Sequence, residues 1–331
     1  MYLNTIKAYF RLGRIHSAVL TGLAPVVTAA ATGVSLSIYH YIELFLIGFL
    51  FHIFLFVYNE VRDINIDKAS KDLKDKPLVD GSISETNAKI VVILSVALVF
   101  LFSITFFYEQ SLFLIPLSLA ALLFGALYDA LGKRVPHADY FIATMLCLVA
   151  LYGSFSVEST LNIFVCIIAL LAFSQMLINN IIAGLKDVNH DHLAGGLSTP
   201  LRMKVRVENN KFIVSKQFIV YILVLKTFHI ALTFIPFYYA MMPFEIWQFY
   251  LTVFVVIIAV VFMLRFLTMK IFDRAKLMRF IGFHEMFAFM VIPFLLYAFI
   301  GPVATIFLLF FPIFWLGIFL IFMYGKLMPG I

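Results

Sequence analysis

Charged residues are scarce in this chain. Of its 331 residues only 13% are charged, whereas 63% are hydrophobic, and the mean hydropathy is strongly positive. A soluble protein cannot bury that much apolar surface, so an ordinary soluble enzyme is excluded. The chain also lacks a polar segment long enough to form a separate soluble domain. We therefore predict one integral membrane domain over residues 1–331.

Cysteine is nearly absent as well. The two cysteines, Cys147 and Cys166, both lie within apolar runs. A disulfide framework or a cysteine-based metal site needs more cysteines at a recognisable spacing. We interpret both as small packing residues in helices.

Long apolar runs dominate the chain instead. Since open strands leave backbone groups unpaired in lipid, the runs are predicted to be helices, and the fold class is an all-α polytopic transmembrane bundle. The last two spans are separated only by Gly301 and Pro302, so the prediction is nine or ten spans. The candidates are residues 16–38, 42–58, 88–108, 111–131, 138–155, 160–183, 216–240, 247–268, 280–299 and 303–324.

Basic residues are distributed unevenly between these spans. They lie before span 1 and in the connections that follow spans 2, 4, 6, 8 and 10. The alternate connections carry Glu109, Glu158 and Glu245 instead. The positive-inside rule therefore places the basic connections and both termini in the cytoplasm. This bias accounts for the net charge of +6, which gives no reason to expect a nucleic-acid partner.

Two groups of acidic residues follow apolar runs on that predicted cytoplasmic side. Asn59, Asp63 and Asp67 are spaced by four residues, as are Asp187 and Asp191. On a helix, this spacing places the members of each group on one face. Any one of them could be a solvated charge paired with a nearby lysine. Together, two such groups provide the hard oxygen ligands that Mg²⁺ prefers, and two ions could bind one diphosphate.

The first acidic group and its tail resemble a signature of the UbiA-type membrane prenyltransferases. Residues 59–67 followed by 76–84 resemble the first acidic signature of that family, and residues 187–191 followed by 194–200 resemble the second. The two signatures occur in the family's order and at its spacing. The resemblance therefore covers most of the chain.

Further residues extend the resemblance to the basic groups. Tyr128 with Lys133 and Arg134 resembles the family's segment after the fourth helix, and Arg14 resembles an arginine often found at the start of the first span. Lys76 departs from the pattern, since the family usually has arginine there. Lysine lacks the planar fork that binds a phosphate through two hydrogen bonds.

The resemblance implies a reaction and a site. It implies a cytoplasm-facing cavity under helical cap loops and Mg²⁺-dependent transfer of a prenyl chain from a prenyl diphosphate to a lipophilic acceptor. Asn59, Asp63 and Asp67 would bind one Mg²⁺, and Asp187 and Asp191 the other; the four aspartates are the candidate catalytic residues. The candidate substrate-binding residues are Arg14, Lys76, Tyr128, Lys133, Arg134 and, from its position on the face of Asp187, Asn180.

Several questions stay open at this level. The acceptor could be an aromatic quinone precursor or a glycerol-phosphate lipid. A membrane terpene cyclase would use the same metal motifs without an acceptor. A transporter is a less favoured alternative, because its binding site is expected at broken helices near the membrane midplane. Ionisable residues at membrane depth usually face a bundle interior, and this chain has Lys226, His229, His284 and Glu285 there.

Overall fold

The chain folds almost entirely into helices. The structure, a computed structural model, describes residues 2–69, 74–132, 135, 137–193 and 196–327. Short 3₁₀ turns lie at Ile15–Ser17, Tyr108–Gln110 and Gly184–Asp187. The helices are α1 (Tyr2–Leu12), α2 (Ala18–Ala31), α3 (Ile38–Ala69), α4 (Glu85–Phe106), α5 (Ser111–Leu131), α6 (Asp139–Phe155), α7 (Ile163–Ala183), α8 (Val188–Leu193), α9 (Thr199–Arg202), α10 (Lys216–Tyr238), α11 (Ile246–Leu267), α12 (Arg274–Phe289) and α13 (Val291–Tyr324).

The helical class and the membrane prediction are confirmed in outline. Within the described ranges, seven helices are long and apolar enough to cross a membrane. In addition, α1 and the segment Ile15–Ala31 form a pair bent by 55°, and α6 is a shorter apolar helix. The predicted break between the last two spans lies inside α13, where Gly301 has φ 73° and ψ 176°. The count of nine or ten spans stays a prediction.

Several helices begin where a polar side chain caps the first turn. Ser84 Oγ accepts a hydrogen bond from the Asn87 backbone N–H, and Asn162 Oδ1 accepts one from the N–H of Val165. Such caps satisfy backbone donors that have no partner inside the helix. The membrane helices are therefore started by local sequence signals as well as by hydropathy.

The chain forms two compact units. The first comprises Met1–Ala130, Leu148–Leu161 and Phe307–Ile331, and in it α3 packs against α2 and α4. The second comprises Leu131–Cys147 and Asn162–Ile306, and in it α7 packs against α10 and α12. Its core includes Ile178, Phe218, Phe266 and Leu277, which are fully buried or nearly so. The prediction of one membrane domain over the whole chain stays a prediction.

A short hairpin in the second unit has no counterpart in the sequence-based prediction. Strands β1 (Arg206–Glu208) and β2 (Lys211–Ile213) are antiparallel, with Val207 opposite Phe212. Both turn residues, Asn209 and Asn210, have positive φ. Two-residue hairpin loops need this left-handed backbone, and asparagine tolerates it better than most residues.

Candidate functional site

The first acidic motif lies on one continuous helix. Helix α3 begins at Ile38 and carries Asn59, Asp63 and Asp67 in its last three turns, beyond the residue at which the apolar run ends. Asp67 is buried, and Asp63 and Asn59 are half-buried. The predicted helical spacing of the motif is therefore present, but its side chains are less exposed than solvated loop charges would be.

Lys76 lies against this motif. Its Nζ is 2.7 Å from Asp67 Oδ2 and 3.0 Å from Glu60 Oε2. The sequence predicts a diphosphate contact for Lys76 and no role for Glu60. In the structure, Lys76 is held beside the motif by two carboxylates, so a cation lies next to the motif that is predicted to bind metal.

Glu60 also joins this location to the start of the chain. Its Oε1 is 2.9 Å from Arg14 Nη2, and its side chain is only 6% exposed. Glu60 therefore bridges two of the predicted substrate-binding residues, Arg14 and Lys76. In the sequence, Glu60 is marked only by its position next to Asn59 at the polar end of the span.

A break between two helices aims the Arg14 side chain. Arg14 has a left-handed backbone, with φ 45°, between α1 and the following 3₁₀ turn. His52 Nε2 is 3.1 Å from the carbonyl oxygen of Gly13 and donates to it, so Nδ1 is left to accept from Thr21 Oγ1 at 3.3 Å. The Arg14 guanidinium lies 5.0 Å from the centre of the Phe56 ring. His52 thus has a structural part in this break.

Replacing Glu60 by glutamine is expected to destabilise the protein. The substitution leaves Arg14 and Lys76 without their shared carboxylate, and losing a hydrogen-bonded, mostly buried charge costs about 2–3 kcal/mol in the free energy of unfolding. Denaturant unfolding of the purified protein in detergent measures this. Glu208→Gln is the matched control, because Glu208 pairs with Arg206 but is 55% exposed; its effect should stay below about 1 kcal/mol. Equal effects in the two variants would contradict the bridging role of Glu60.

Asn59 contacts a carboxylate that the sequence analysis missed. Its Nδ2 donates to Asp129 Oδ1 at 3.0 Å. The other oxygen, Asp129 Oδ2, is buried and has no hydrogen-bond partner among the residues that the structure describes. Asp129 follows Tyr128 near the end of α5. Its place as an acidic residue at the end of an apolar run is the one sequence feature from which a role for Asp129 could have been predicted. Tyr128 is half-buried, and Lys133 and Arg134 lie outside the described residues.

The second acidic motif starts on the 3₁₀ turn that continues α7. Asp187 ends that turn, and Asp191 lies on the short helix α8. Asp187 Oδ1 is 3.2 Å from Arg274 Nη2 at the start of α12, and both side chains are about 40% exposed (38% and 42%). Arg274 is thus a further basic residue beside an acidic motif. From the sequence, Arg274 was used only as one of the basic residues that indicate the cytoplasmic side.

Asp139 ties the segment around the second motif together. Its Oδ1 accepts a hydrogen bond of 2.6 Å from Asn180 Nδ2, and its Oδ2 accepts one from the Thr199 hydroxyl. Asn180 precedes the motif on α7, and Thr199 follows it on α9. Asn180, predicted to bind substrate, is therefore also part of the framework of this segment.

Comparison with known proteins decides the family. The model of the UbiA prenyltransferase family matches residues 18–290, which contain both acidic motifs and Lys76. This chain belongs to the UbiA prenyltransferase family. The resemblance stated from the motifs is thereby confirmed.

The relatives of this UbiA family member include a synthase. The chain is 30% identical over 200 residues to the digeranylgeranylglyceryl phosphate synthase of Saccharolobus solfataricus. The match covers 57% of this chain and 66% of that protein, just under two thirds of its length.

Solved structures show the same fold. A structure of a digeranylgeranylglyceryl phosphate synthase matches with a TM-score of 0.66 and 18% identity, over 90% of this chain and 99% of that one. A UbiA homologue from Archaeoglobus fulgidus bound to GPP and Mg²⁺ matches with a TM-score of 0.62 and 19% identity, over 86% and 99%. At these identities the likeness shows the fold of the family.

The donor atoms in the UbiA motifs of this chain fit Mg²⁺. Within the described ranges, no three His, Cys, Asp or Glu side chains are grouped so as to hold a metal by themselves. Mg²⁺ does not require such a group, because it keeps waters and binds through one or two carboxylates plus substrate phosphates. The donors around Asn59 are carboxylate and amide oxygens, and the buried Asp129 Oδ2 is the kind of atom that a cation would satisfy.

Burial also shifts the pKa of Asp67. It raises the pKa of the carboxyl above its ordinary value, while the ion pair with Lys76 acts in the opposite direction. Because the folded chain then holds the proton more tightly than the unfolded chain, the contribution of Asp67 to stability falls as the pH rises through its folded-state pKa. Asp67 is thus kept in its motif at some cost in stability, as is common for functional carboxylates.

Proposed function

We propose that this chain catalyses Mg²⁺-dependent transfer of a prenyl group from a prenyl diphosphate to a lipophilic acceptor. The observation that carries the proposal is Lys76 ion-paired to Asp67 and Glu60, with Arg14 on the same glutamate. Carboxylates for a metal and cations for phosphate oxygens occur together at the end of α3. This combination suits a diphosphate bound together with Mg²⁺ better than it suits a metal ion alone or a phosphate group alone.

The proposed site residues divide between two tasks. Asn59, Asp63 and Asp67 hold Mg²⁺ on α3, and Asp187 and Asp191 do so in the second unit, which makes two ions. Bound Mg²⁺ supplies positive charge that stabilises the departing diphosphate. The diphosphate oxygens accept hydrogen bonds from Lys76, Arg14, Tyr128, Lys133, Arg134 and Asn180.

The reaction exchanges one bond for another. The bond between the allylic carbon and the diphosphate oxygen breaks, and the electron pair leaves with the diphosphate. The same carbon then bonds to the acceptor oxygen, and the hydroxyl proton passes to the departing diphosphate. Lys76 pairs with Asp67 in the structure. Asp67 would hold the metal, and Lys76, which Glu60 would still position, would donate to the diphosphate oxygens.

The acceptor that we propose is a glycerol-phosphate lipid. Both the relative at 30% identity and the structure with a TM-score of 0.66 are digeranylgeranylglyceryl phosphate synthases. A hydroxyl of geranylgeranylglyceryl phosphate would then be the nucleophile. We further propose that the protein spans the membrane nine or ten times, with the site in a cytoplasm-facing cavity.

A reconstitution experiment tests the function. The purified protein in nanodiscs is supplied with a prenyl diphosphate, Mg²⁺ and either geranylgeranylglyceryl phosphate, an aromatic acid or no acceptor. We expect an ether-linked product and equimolar diphosphate with the glycerol-phosphate lipid alone, both detected by mass spectrometry. A cyclic hydrocarbon formed without an acceptor would establish the terpene cyclase instead, and products with the aromatic acid would overturn the proposed acceptor.

Removal of the metal gives an independent expectation. EDTA should reduce diphosphate release by at least about 1,000-fold, because the charge on the leaving group is then not neutralised. Excess Mg²⁺ should restore the rate, whereas Ca²⁺, which takes more ligands at longer distances, should restore it poorly. Unchanged release in EDTA would show that the acidic motifs serve another purpose.

A further inference from the structure

Six polar side chains lie near one another in the second unit. They come from the middles of α7, α10 and α12, and we call them the midspan cluster: Ser174, Gln175, Lys226, His229, His284 and Glu285. Gln175 precedes Asp187 by 12 residues, which is about 18 Å along a helix. The cluster is therefore too far from the second motif to contact a diphosphate bound there.

The cluster is buried at membrane depth. Lys226 and His229 are 3% exposed and His284 is 0% exposed. Lys226 is the eleventh of the 23 residues of α10, a candidate membrane span. The Lys226 side chain is therefore enclosed by the helices and does not extend to the membrane surface. Polar groups at this depth are costly and are usually retained for a function.

The charges of the cluster balance. Glu285 Oε1 is 3.0 Å from His284 Nδ1, and Glu285 Oε2 accepts a 2.7 Å hydrogen bond from Gln175 Nε2. Lys226 lies close enough to Glu285 for an electrostatic interaction. Lys226 and Glu285 thus provide one cation and one anion that compensate each other. A guest with a full charge would leave one charge unpaired in the protein interior, which is strongly unfavourable.

Three atoms of the cluster have no partner. Gln175 Oε1, His229 Nε2 and His284 Nε2 are buried and make no hydrogen bond within the described part of the chain. Each lies on a different helix. Leaving a buried polar atom unsatisfied costs about 1–3 kcal/mol, so each of the three is an acceptor that a hydrogen-bond donor from a guest would satisfy.

The existing hydrogen bonds define what the guest must offer. His284 Nδ1 donates to Glu285, which leaves Nε2 as an acceptor. Ser174 Oγ donates to the carbonyl oxygen of Leu171 at 3.2 Å, so His229 Nδ1 donates to Ser174 at 2.8 Å and Nε2 is again an acceptor. Gln175 Oε1 is an acceptor as well. The guest must therefore donate a hydrogen bond, and it can accept one from Lys226.

We propose that the midspan cluster binds the hydroxyl group of a lipophilic alcohol or phenol that enters from the bilayer. A hydroxyl is neutral, donates one hydrogen bond, to one ring nitrogen or to Gln175 Oε1, and accepts one from Lys226. Gln175 and Glu285 are only half-buried, so the cluster is open on their side. The proposal is independent of the prenyl transfer, because it requires neither the donor nor Mg²⁺.

Photolabelling tests the proposal against its nearest alternative, a cluster that holds only water. The probes are an alkylphenol that carries a diazirine beside the ring and its methyl ether, which cannot donate. Both are applied to the wild-type protein in nanodiscs without Mg²⁺, and labelled peptides are mapped by mass spectrometry. We expect the phenol to label α7, α10 or α12 around the cluster about tenfold more than the ether, as one hydrogen bond allows. Excess 4-nonylphenol should suppress this labelling.

Variants locate the binding. His284→Phe and Gln175→Leu should each reduce phenol labelling to the level of the ether, whereas Thr227→Val on the exposed face of α10 should leave it unchanged. Equal labelling by phenol and ether, or no labelling near the cluster, would overturn the proposal and leave water as the occupant. Because the comparison of the two probes uses the wild-type protein, a variant that fails to fold does not weaken the test.

Discussion

Replacing Asp63 or Asp187 by alanine is expected to reduce prenyl transfer by about 1,000-fold or more, equivalent to ~4 kcal/mol of transition-state stabilisation. Each residue belongs to one acidic motif, and each is proposed to hold Mg²⁺ that neutralises the leaving diphosphate. Loss of either carboxylate should therefore remove most of the rate. The measurement is Mg²⁺-dependent diphosphate release by the purified variants.

Controls separate loss of chemistry from loss of fold. Both aspartates are only half-buried, so the variants should keep the thermal unfolding midpoint of the wild type within a few degrees. Glu109→Ala removes an exposed carboxylate outside both motifs and should leave activity unchanged. Asp63→Asn keeps one oxygen donor, so raised Mg²⁺ should recover part of its activity. Full activity in Asp63→Ala and Asp187→Ala would refute the metal assignment.

Replacing Gly153 by alanine is expected to produce the largest loss of stability. Gly153 on α6 packs on α2, where an added Cβ would overlap the carbonyl oxygen of Pro25 and lie 2.5 Å from its carbonyl carbon. The obstacle is backbone, which cannot rotate away as a flexible side chain can. Thr28 on α2 also donates to the carbonyl oxygen of Ala150 on α6, so the two helices are joined at this point. Small residues permit such close approach in membrane proteins.

The two helices would have to separate to accommodate the methyl group. We expect the free energy of unfolding to fall by about 3 kcal/mol or more, at the upper end for overpacking. Denaturant unfolding in detergent measures this. Gly282→Ala is the matched control, because its added Cβ meets nothing within 4 Å and alanine favours a helix by about 1 kcal/mol. A Gly153→Ala protein as stable as Gly282→Ala would show that α2 and α6 are less tightly joined.

Local patterns in the sequence predicted the geometry of the first acidic motif. The four-residue spacing of Asn59, Asp63 and Asp67 places them on one face of any helix, and α3 is helical through Asp67. Lys76, chosen from its place after the motif, lies in contact with it. The shared helix face could be predicted because spacing along one element requires no knowledge of the packing, whereas the roles of these residues in binding metal and diphosphate stay predictions.

Partners that are distant in sequence were not predictable in the same way. Glu60 meets Arg14 across 46 residues, and Asp129 meets Asn59 across 70. Each carboxylate follows a residue that was predicted to belong to the site, Asn59 or Tyr128. No local pattern distinguishes Glu60 or Asp129 from a solvated charge. The midspan cluster is similar, since its ionisable residues were recognised as unusual but their partners Ser174 and Gln175 look like ordinary polar residues in a helix.

The sequence by itself determined that this is a membrane bundle of helices with two acidic motifs of the UbiA kind, because hydropathy, charge bias and helical spacing are local properties. The tertiary structure decided which side chains meet: Glu60 with Arg14 and Lys76, Asp139 with Asn180 and Thr199, and Gly153 with the backbone of Pro25. The physical reason is that these contacts depend on how whole helices pack, and packing is set by the summed fit of many side chains rather than by any one stretch of the chain.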